Sequence, residues 1–172
     1  MKQERKIRRS TMNDLCRMLE IYEFARKQMQ ANGNPNQWIT YPSKKLLEED
    51  INSGVSYVIE SDSKVCGVFV FIIGEDPTYQ VIEDGSWINA EPYGTIHRIA
   101  SDGTLKGIFK TVEEYCSQLI QNIRIDTHED NKIMQHLLEK SGFTKCGIIY
   151  THDGSPRIAY QKKYSKDIRD NS

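Results

Sequence analysis

The segment Thr95 to Lys110 reads TIHRIASDGTLKGIFK. Its first residues favour a strand, its middle holds Gly103 and Gly107, and its end begins an apolar pattern of helical period. A strand that turns straight into a helix leaves backbone N–H groups unpaired at the positive end of the helix dipole. That junction suits an anion, above all a pyrophosphate, and Lys106 and Lys110 bring positive charge to its lip. The glycine spacing matches neither the Walker loop nor the dinucleotide fingerprint, and many such turns bind nothing. Just upstream, His97 offers an imidazole able to take up a proton near neutral pH; it could equally bond to backbone. Regular alternation sets His97 and Ile99 on one face of the strand, with Ile96 and Arg98 on the other. Arg98 could meet an acidic substrate group or form a plain ion pair.

A second concentration of polar groups is Gly33-Asn34-Pro35-Asn36-Gln37-Trp38. Asn34 and Gln37 can orient a polar substrate. The Trp38 indole can exclude water and stack on a cationic amine, or it can plug the edge of a sheet. No metal is expected: His128 and His136 lack ligand spacing, and the acids beside His128 suit a helix N-terminus. Cys116 and Cys146 sit in apolar-patterned segments and read as packing rather than nucleophiles. Cys16, Cys66, Cys116 and Cys146 form no CxxC pair, so they read as reduced thiols of a cytoplasmic protein.

The elements that must position these groups follow from periodicity. Lys6–Arg8 is a short strand. Thr11 and Asp14 open a helix with Leu15, Met18, Leu19, Tyr22 and Ala25 on one face, stopped at Asn32-Gly33. Pro42-Ser43 opens a second helix. Val55–Glu60 and Val65–Ile73 form a hairpin. Residues 74–94 are irregular, a length that usually signals function. Strand Thr95–Ala100, helix Lys106–Gln121, strand Ile123–Asp126 and helix Asn131–Lys140 follow. Thr144–Tyr150 and Arg157–Gln161 close the chain as a hairpin around Asp153-Gly154. The order β-α-α-β-β-β-α-β-α-β-β predicts an α/β (α+β) fold, a mixed sheet of about seven strands flanked by four helices.

The length of 172 residues suits a single domain over residues 1–163 with a polar tail, 164–172. The 23 basic and 24 acidic residues nearly cancel, which argues against a nucleic-acid partner. The basic start (Lys2, Arg5, Lys6, Arg8, Arg9) is either a phosphate-binding arm or solvated charge beside the first strand. The N-terminus lacks the apolar core of a signal peptide, and the longest apolar run, Val65 to Gly74, is too short for a membrane span.

Thr104-Leu105-Lys106-Gly107-Ile108-Phe109, together with Asn131 and Gly142-Phe143 downstream, resembles the GNAT acetyltransferases. That family carries an Arg/Gln-x-x-Gly-x-Gly/Ala turn, then a helix with Asn that closes in Gly-Phe. GNPNQW, DPTY, IHR and DTHEDN further resemble an uncharacterised bacterial subgroup. The resemblance implies acetyl-CoA as co-substrate, an amine acceptor, and a monomer or homodimer. It implies cofactor contacts from Ile99, Ala100, Leu105, Lys106, Gly107, Ile108, Phe109, Lys110, Asn131 and Met134. Acceptor contacts would come from Asn34, Gln37, Trp38 and Tyr93, with His97 catalytic. Three positions depart from the pattern: Thr104 replaces Arg or Gln, Phe109 replaces a small residue, and Leu138 stands where many members have the Tyr that protonates the leaving thiolate. Leu138 and Phe109 favour the alternative of a catalytically silent acyl-CoA-binding module.

Overall fold

The computed structural model describes residues 4–165. Among them lie seven strands, β1 (Arg5–Arg9), β2 (Ser56–Ser61), β3 (Lys64–Ile73), β4 (Gly94–Ser101), β5 (Asn122–Thr127), β6 (Thr144–Tyr150) and β7 (Pro156–Lys163). Four helices accompany them: α1 (Leu15–Ala31), α2 (Lys44–Asn52), α3 (Ile108–Leu119) and α4 (Lys132–Lys140). One sheet runs β1-β2-β3-β4-β5-β7-β6. Its neighbours are antiparallel except β4 and β5, which are parallel and joined through α3.

The central strands are hydrophobic on both faces because helices cover both. Alternation sends Tyr57, Ile59, Phe69 and Phe71 toward α3 and α4, where they pack with Val112, Cys116 and Leu138. Val58 and Val68 point the other way, against Leu15, Met18, Ile21 and Tyr22 of α1 and Leu47 of α2. α1 starts behind the Thr11/Asp14 capping box, and the Ser43 hydroxyl caps α2 by accepting from the Leu46 N–H at 3.2 Å, worth ~1 kcal/mol.

Several boundaries shift from the sequence expectation. α3 begins at Ile108 rather than Lys106, because Gly107 is left-handed (φ 71°) and forms its N-cap. Asn131 caps α4 instead of opening it. The polar tail starts later than residue 164: the Tyr164 hydroxyl donates to Glu113 at 2.6 Å and its N–H to Gln121. The rest of that expected tail, 166–172, lies outside the described residues, as does Lys2. Two residues of the basic start are held by the fold: Arg8 pairs with Asp14 and Glu60 at 2.8 Å, and Arg5 donates to the Lys106 and Gly107 carbonyls, whereas Lys6 and Arg9 are exposed. The irregular stretch before β4 is pinned by a 3-10 turn at Pro77–Tyr79 and by Trp87 and Tyr93, whose rings hold the Arg124 guanidinium between them.

Candidate active site

β4 and β5 pair only at Gly94–Ile123 and Thr95–Arg124 and then part. From Ile96 onward the β5-facing edge of β4 has no strand beside it among the described residues. In the same stretch β4 bulges. Val70 opposes His97 and Val68 opposes Ala100, so Phe69 alone faces both Arg98 and Ile99. Arg98 takes a positive φ of 51°, rare and costly for a residue with a Cβ. It is held there from three sides. Its guanidinium forks onto the buried Asp50 of α2, with Nη2 2.8 Å from both carboxylate oxygens and Nε 3.1 Å from one. It donates to the Tyr41 hydroxyl at 2.5 Å, and the Arg98 carbonyl accepts from the Tyr22 hydroxyl at 2.7 Å. Burial pushes the Asp50 carboxyl upward, and the Arg98 charge offsets this only in part. Of the two roles open to Arg98, the structure realises the ion pair.

The bulge corrects the expected alternation. Ile96 and Ile99, an odd number of residues apart, both pack toward the α3 side, whereas Ala100 packs toward α1. His97 and Ile99 therefore do not share a face. An extra residue in one strand reverses the parity of everything after it.

Two cavities meet where the strands part. The larger, about 900 Å³, is lined among others by Trp38, Tyr41, Asp76, His97, Asp126 and Arg157. The smaller, about 490 Å³, lies between α1, the end of β4 and α4; Asn34, Ala100 and Gly103 line it. Ile99, Asn131 and Met134 line both.

The expected cofactor residues divide. Ile99, Ala100, Asn131 and Met134 come together in the smaller cavity, and the glycine turn adjoins it at Gly103. Leu105, Lys106, Gly107, Ile108, Phe109 and Lys110 line neither cavity. The Ile108 and Phe109 side chains are buried in the core, Phe109 edge-on to Phe143, so only backbone there can meet a ligand. Leu138 is fully buried in that core.

The expected acceptor residues divide too. Gln37 and Trp38 line the larger cavity, with the Trp38 indole also packed edge-on to Tyr22 at 5.7 Å, so it is core and wall at once. Asn34 lines the smaller cavity instead. Tyr93 lines neither; it is buried, and its hydroxyl accepts from the Asp76 N–H at 2.7 Å. Gln37 ties the loop to α4: its Oε1 accepts from Asn34 and Asn131 Nδ2, each at 2.9 Å. Asn131 Oδ1 accepts from the Met134 N–H at 3.0 Å, which is the cap. The Asn34 Oδ1 is buried without a partner.

His97 stands 3.1 Å, through Nε2, from Asp76 Oδ2. The other Asp76 oxygen accepts from the Thr78 N–H at 2.9 Å and its hydroxyl at 2.7 Å. Burial alone would push the Asp76 carboxyl upward; the bonds from His97 and Thr78 outweigh it and hold the group at about 2. Asp126 behaves in the opposite way. Burial raises it, and the Tyr79 hydroxyl at 2.6 Å with the His97 and Arg157 charges only partly offsets that. The cavity thus holds one carboxylate tied to an imidazole and one reluctant to ionise, an arrangement suited to proton handling. Sequence reading missed Asp76, Asp126 and Arg157. A signal existed for Asp126: Asn122, Arg124 and Asp126 alternate with Ile123 and Ile125 along β5, marking one polar face.

Among the described residues no group of three His, Cys, Asp or Glu side chains is arranged to hold a metal, and no helix is long and apolar enough to cross a membrane. No protein-family model and no curated protein matches the chain. Solved structures do. A GNAT-family acetyltransferase from Streptococcus agalactiae is similar at 29% identity over 96% of this chain and 100% of its own, with a TM-score of 0.86. One from Listeria monocytogenes is similar at 17% identity over 95% and 98%, TM-score 0.71. The ribosomal-protein alanine N-acetyltransferase of Escherichia coli is similar at 17% over 94% and 95%, TM-score 0.61. The latter two speak for the fold alone. With the strand order, these likenesses give the chain the fold of the GNAT superfamily of acetyltransferases.

Proposed function

We propose that the protein transfers an acetyl group from acetyl-CoA to the primary amine of a small molecule, amino acid or peptide in the cytoplasm. The observation that carries this reading is the parting of β4 from β5 after Thr95 and Arg124, at the meeting point of the two cavities. The residues present fit the donor. The free edge of β4 at Ile99 and Ala100 offers backbone groups for the pantetheine amides, Met134 and Asn131 form the opposite wall, and the orphaned Asn34 Oδ1 offers an acceptor. The left-handed Gly103 and Gly107 turn the chain so that the α3 N-terminus, with no side-chain cap, is open to the diphosphate beside Lys106 and Lys110.

In this reading an N–H of the bulged segment polarises the thioester carbonyl. The amine enters from the larger cavity, and His97, oriented by Asp76, takes its proton. The thiolate is a good leaving group, with a thiol pKa of ~8.5, so a proton donor at position 138 is dispensable. A second reading, a silent acyl-CoA binder, draws support from the burial of Leu138 and Phe109. Release of free thiol from acetyl-CoA across an amine panel, beside calorimetry with CoA, decides. Amine-dependent release is expected. Binding without release favours the silent binder, and neither overturns both.

A further inference from the structure

Three arginines of the fold pair with carboxylates and a fourth lies against aromatic rings. Arg8 meets Asp14 and Glu60, Arg17 meets Asp102, Arg98 meets Asp50, and Arg124 lies between two aromatic faces. Arg157 differs. It is 9% exposed, lines the larger cavity, and has no carboxylate within ion-pair distance among the described residues. Its bonds go to neutral acceptors only: the Ser155 hydroxyl, the Pro156 carbonyl at 3.0 Å and the Gln37 carbonyl at 3.4 Å. Asp153, the nearest acid in sequence, is exposed, and its Oδ1 accepts from the Thr151 hydroxyl and the Ser155 N–H. A buried guanidinium left without an anion is costly unless a ligand supplies one, and its fork matches a carboxylate.

An acid without a cation partner among the described residues lines the same cavity. Asp126 pairs in register with Ala159, two residues from Arg157 on β7, so both side chains share one sheet face on adjacent strands, roughly 7–8 Å apart at the backbone. Asp126 accepts from the neutral Tyr79 hydroxyl and has no cation within ion-pair distance. It lies where β5 parts from β4, near His97, whereas Arg157 lies beyond the C-terminal end of β5. A molecule bridging them would hold its amine at the thioester end and a negative group further out.

We infer that the acceptor is a free α-amino acid, its amine seated between Asp126 and His97 and its carboxylate forked by Arg157. The inference rests on the acyl-transfer reading for the reaction, not for the binding. Polyamines bring nothing for Arg157, and peptide N-termini bring an amide where the fork wants a carboxylate.

The test is a binding measurement on CoA-loaded protein, by calorimetry and ligand-observed NMR. Its probes are the common L-amino acids, each with its primary amide and its decarboxylated amine. At least one amino acid should bind at least about tenfold more tightly than its amide and amine. Arg157→Gln should shrink that ratio to within about twofold, with Arg157→Lys between. Should Arg157→Gln fail to fold, the wild-type ratio decides alone. Amides or amines binding as well as the acids, an unchanged ratio in a folded Arg157→Gln protein, or no amino acid binding at millimolar concentration would each overturn the inference. An amino acid that binds selectively but triggers no thiol release leaves the binding assignment to Arg157 standing and overturns its role as acceptor together with the acyl-transfer reading.

Discussion

The two cavities that adjoin at Ile99, Asn131 and Met134 are built from different materials. The smaller is walled mostly by backbone, apolar side chains such as Ala25, Ile133 and Leu137, and amides, with Asp130 and Lys132 its charged residues. The larger concentrates Asp76, His97, Arg98, Asp126 and Arg157 beneath the loop that precedes β4. Backbone recognition tolerates many side chains, so a fold can keep one donor while its sequence drifts. Side-chain recognition fixes charge and shape, and there an acceptor is chosen. Substitutions on the two sides should therefore fail in different ways.

The largest effect is expected at His97. His97→Gln should lower acetyl transfer roughly 10²–10⁴-fold, the usual worth of a positioned proton acceptor, while CoA affinity stays within about twofold. Gly107→Glu should do the reverse. A Cβ there meets only an Arg5 nitrogen at 3.9 Å, so space is not the obstacle. The negative charge at the helix start and the left-handed backbone are, and CoA affinity measured by calorimetry should fall more than about tenfold. A loss of affinity in His97→Gln, or none in Gly107→Glu, would break the division.

Leu138→Tyr sharpens it. The side chain it replaces is fully buried beside Phe109 and Phe143. Added bulk and an unpaired hydroxyl should cost about 1–3 kcal/mol in denaturant unfolding, with no gain in turnover. A large gain would mean that position 138 reaches the thioester and that the wild-type chain is a retired catalyst.

The smallest effect concerns pH. Asp76 is held at about 2, below its ordinary value of 3.8. A depressed carboxylate stabilises the fold above its unfolded pKa, and that contribution is lost as pH falls from about 4 toward 2. Thermal melts between pH 5 and 2 should show a shallower decline for Asp76→Asn than for the parent. Asp14 and Asp102, also held low, keep some slope in both. Identical slopes would mean that the His97–Asp76 bond contributes nothing.

How much was legible follows from the same contrast. Element order and the glycine turn before α3 could be read because glycines and apolar periods are local signals, and even the closing hairpin follows from them. The bulge could not be read: nothing in IHRIAS announces that Arg98 will turn left-handed, since what holds it there is Asp50, from a helix far back in the chain. Asp76, Tyr79 and Arg157 escaped for the same reason. Their meaning lies in the loop before β4 and in β7 folding onto one sheet face, and only tertiary structure brings those together. Tyr93 was placed in the right region with the wrong task, supporting Asp76 from below rather than facing a ligand.

The central claim is that the gap between β4 and β5 holds the donor and delivers it to His97. A crystal structure of the protein with CoA tests it most directly. The account predicts the pantetheine arm along the β4 edge at Ile99 and Ala100, the diphosphate at the Gly103–Gly107 turn, and the sulfur opening toward the cavity of His97 and Asp126. CoA bound elsewhere, or a gap closed by side chains with the pantetheine excluded, would contradict it.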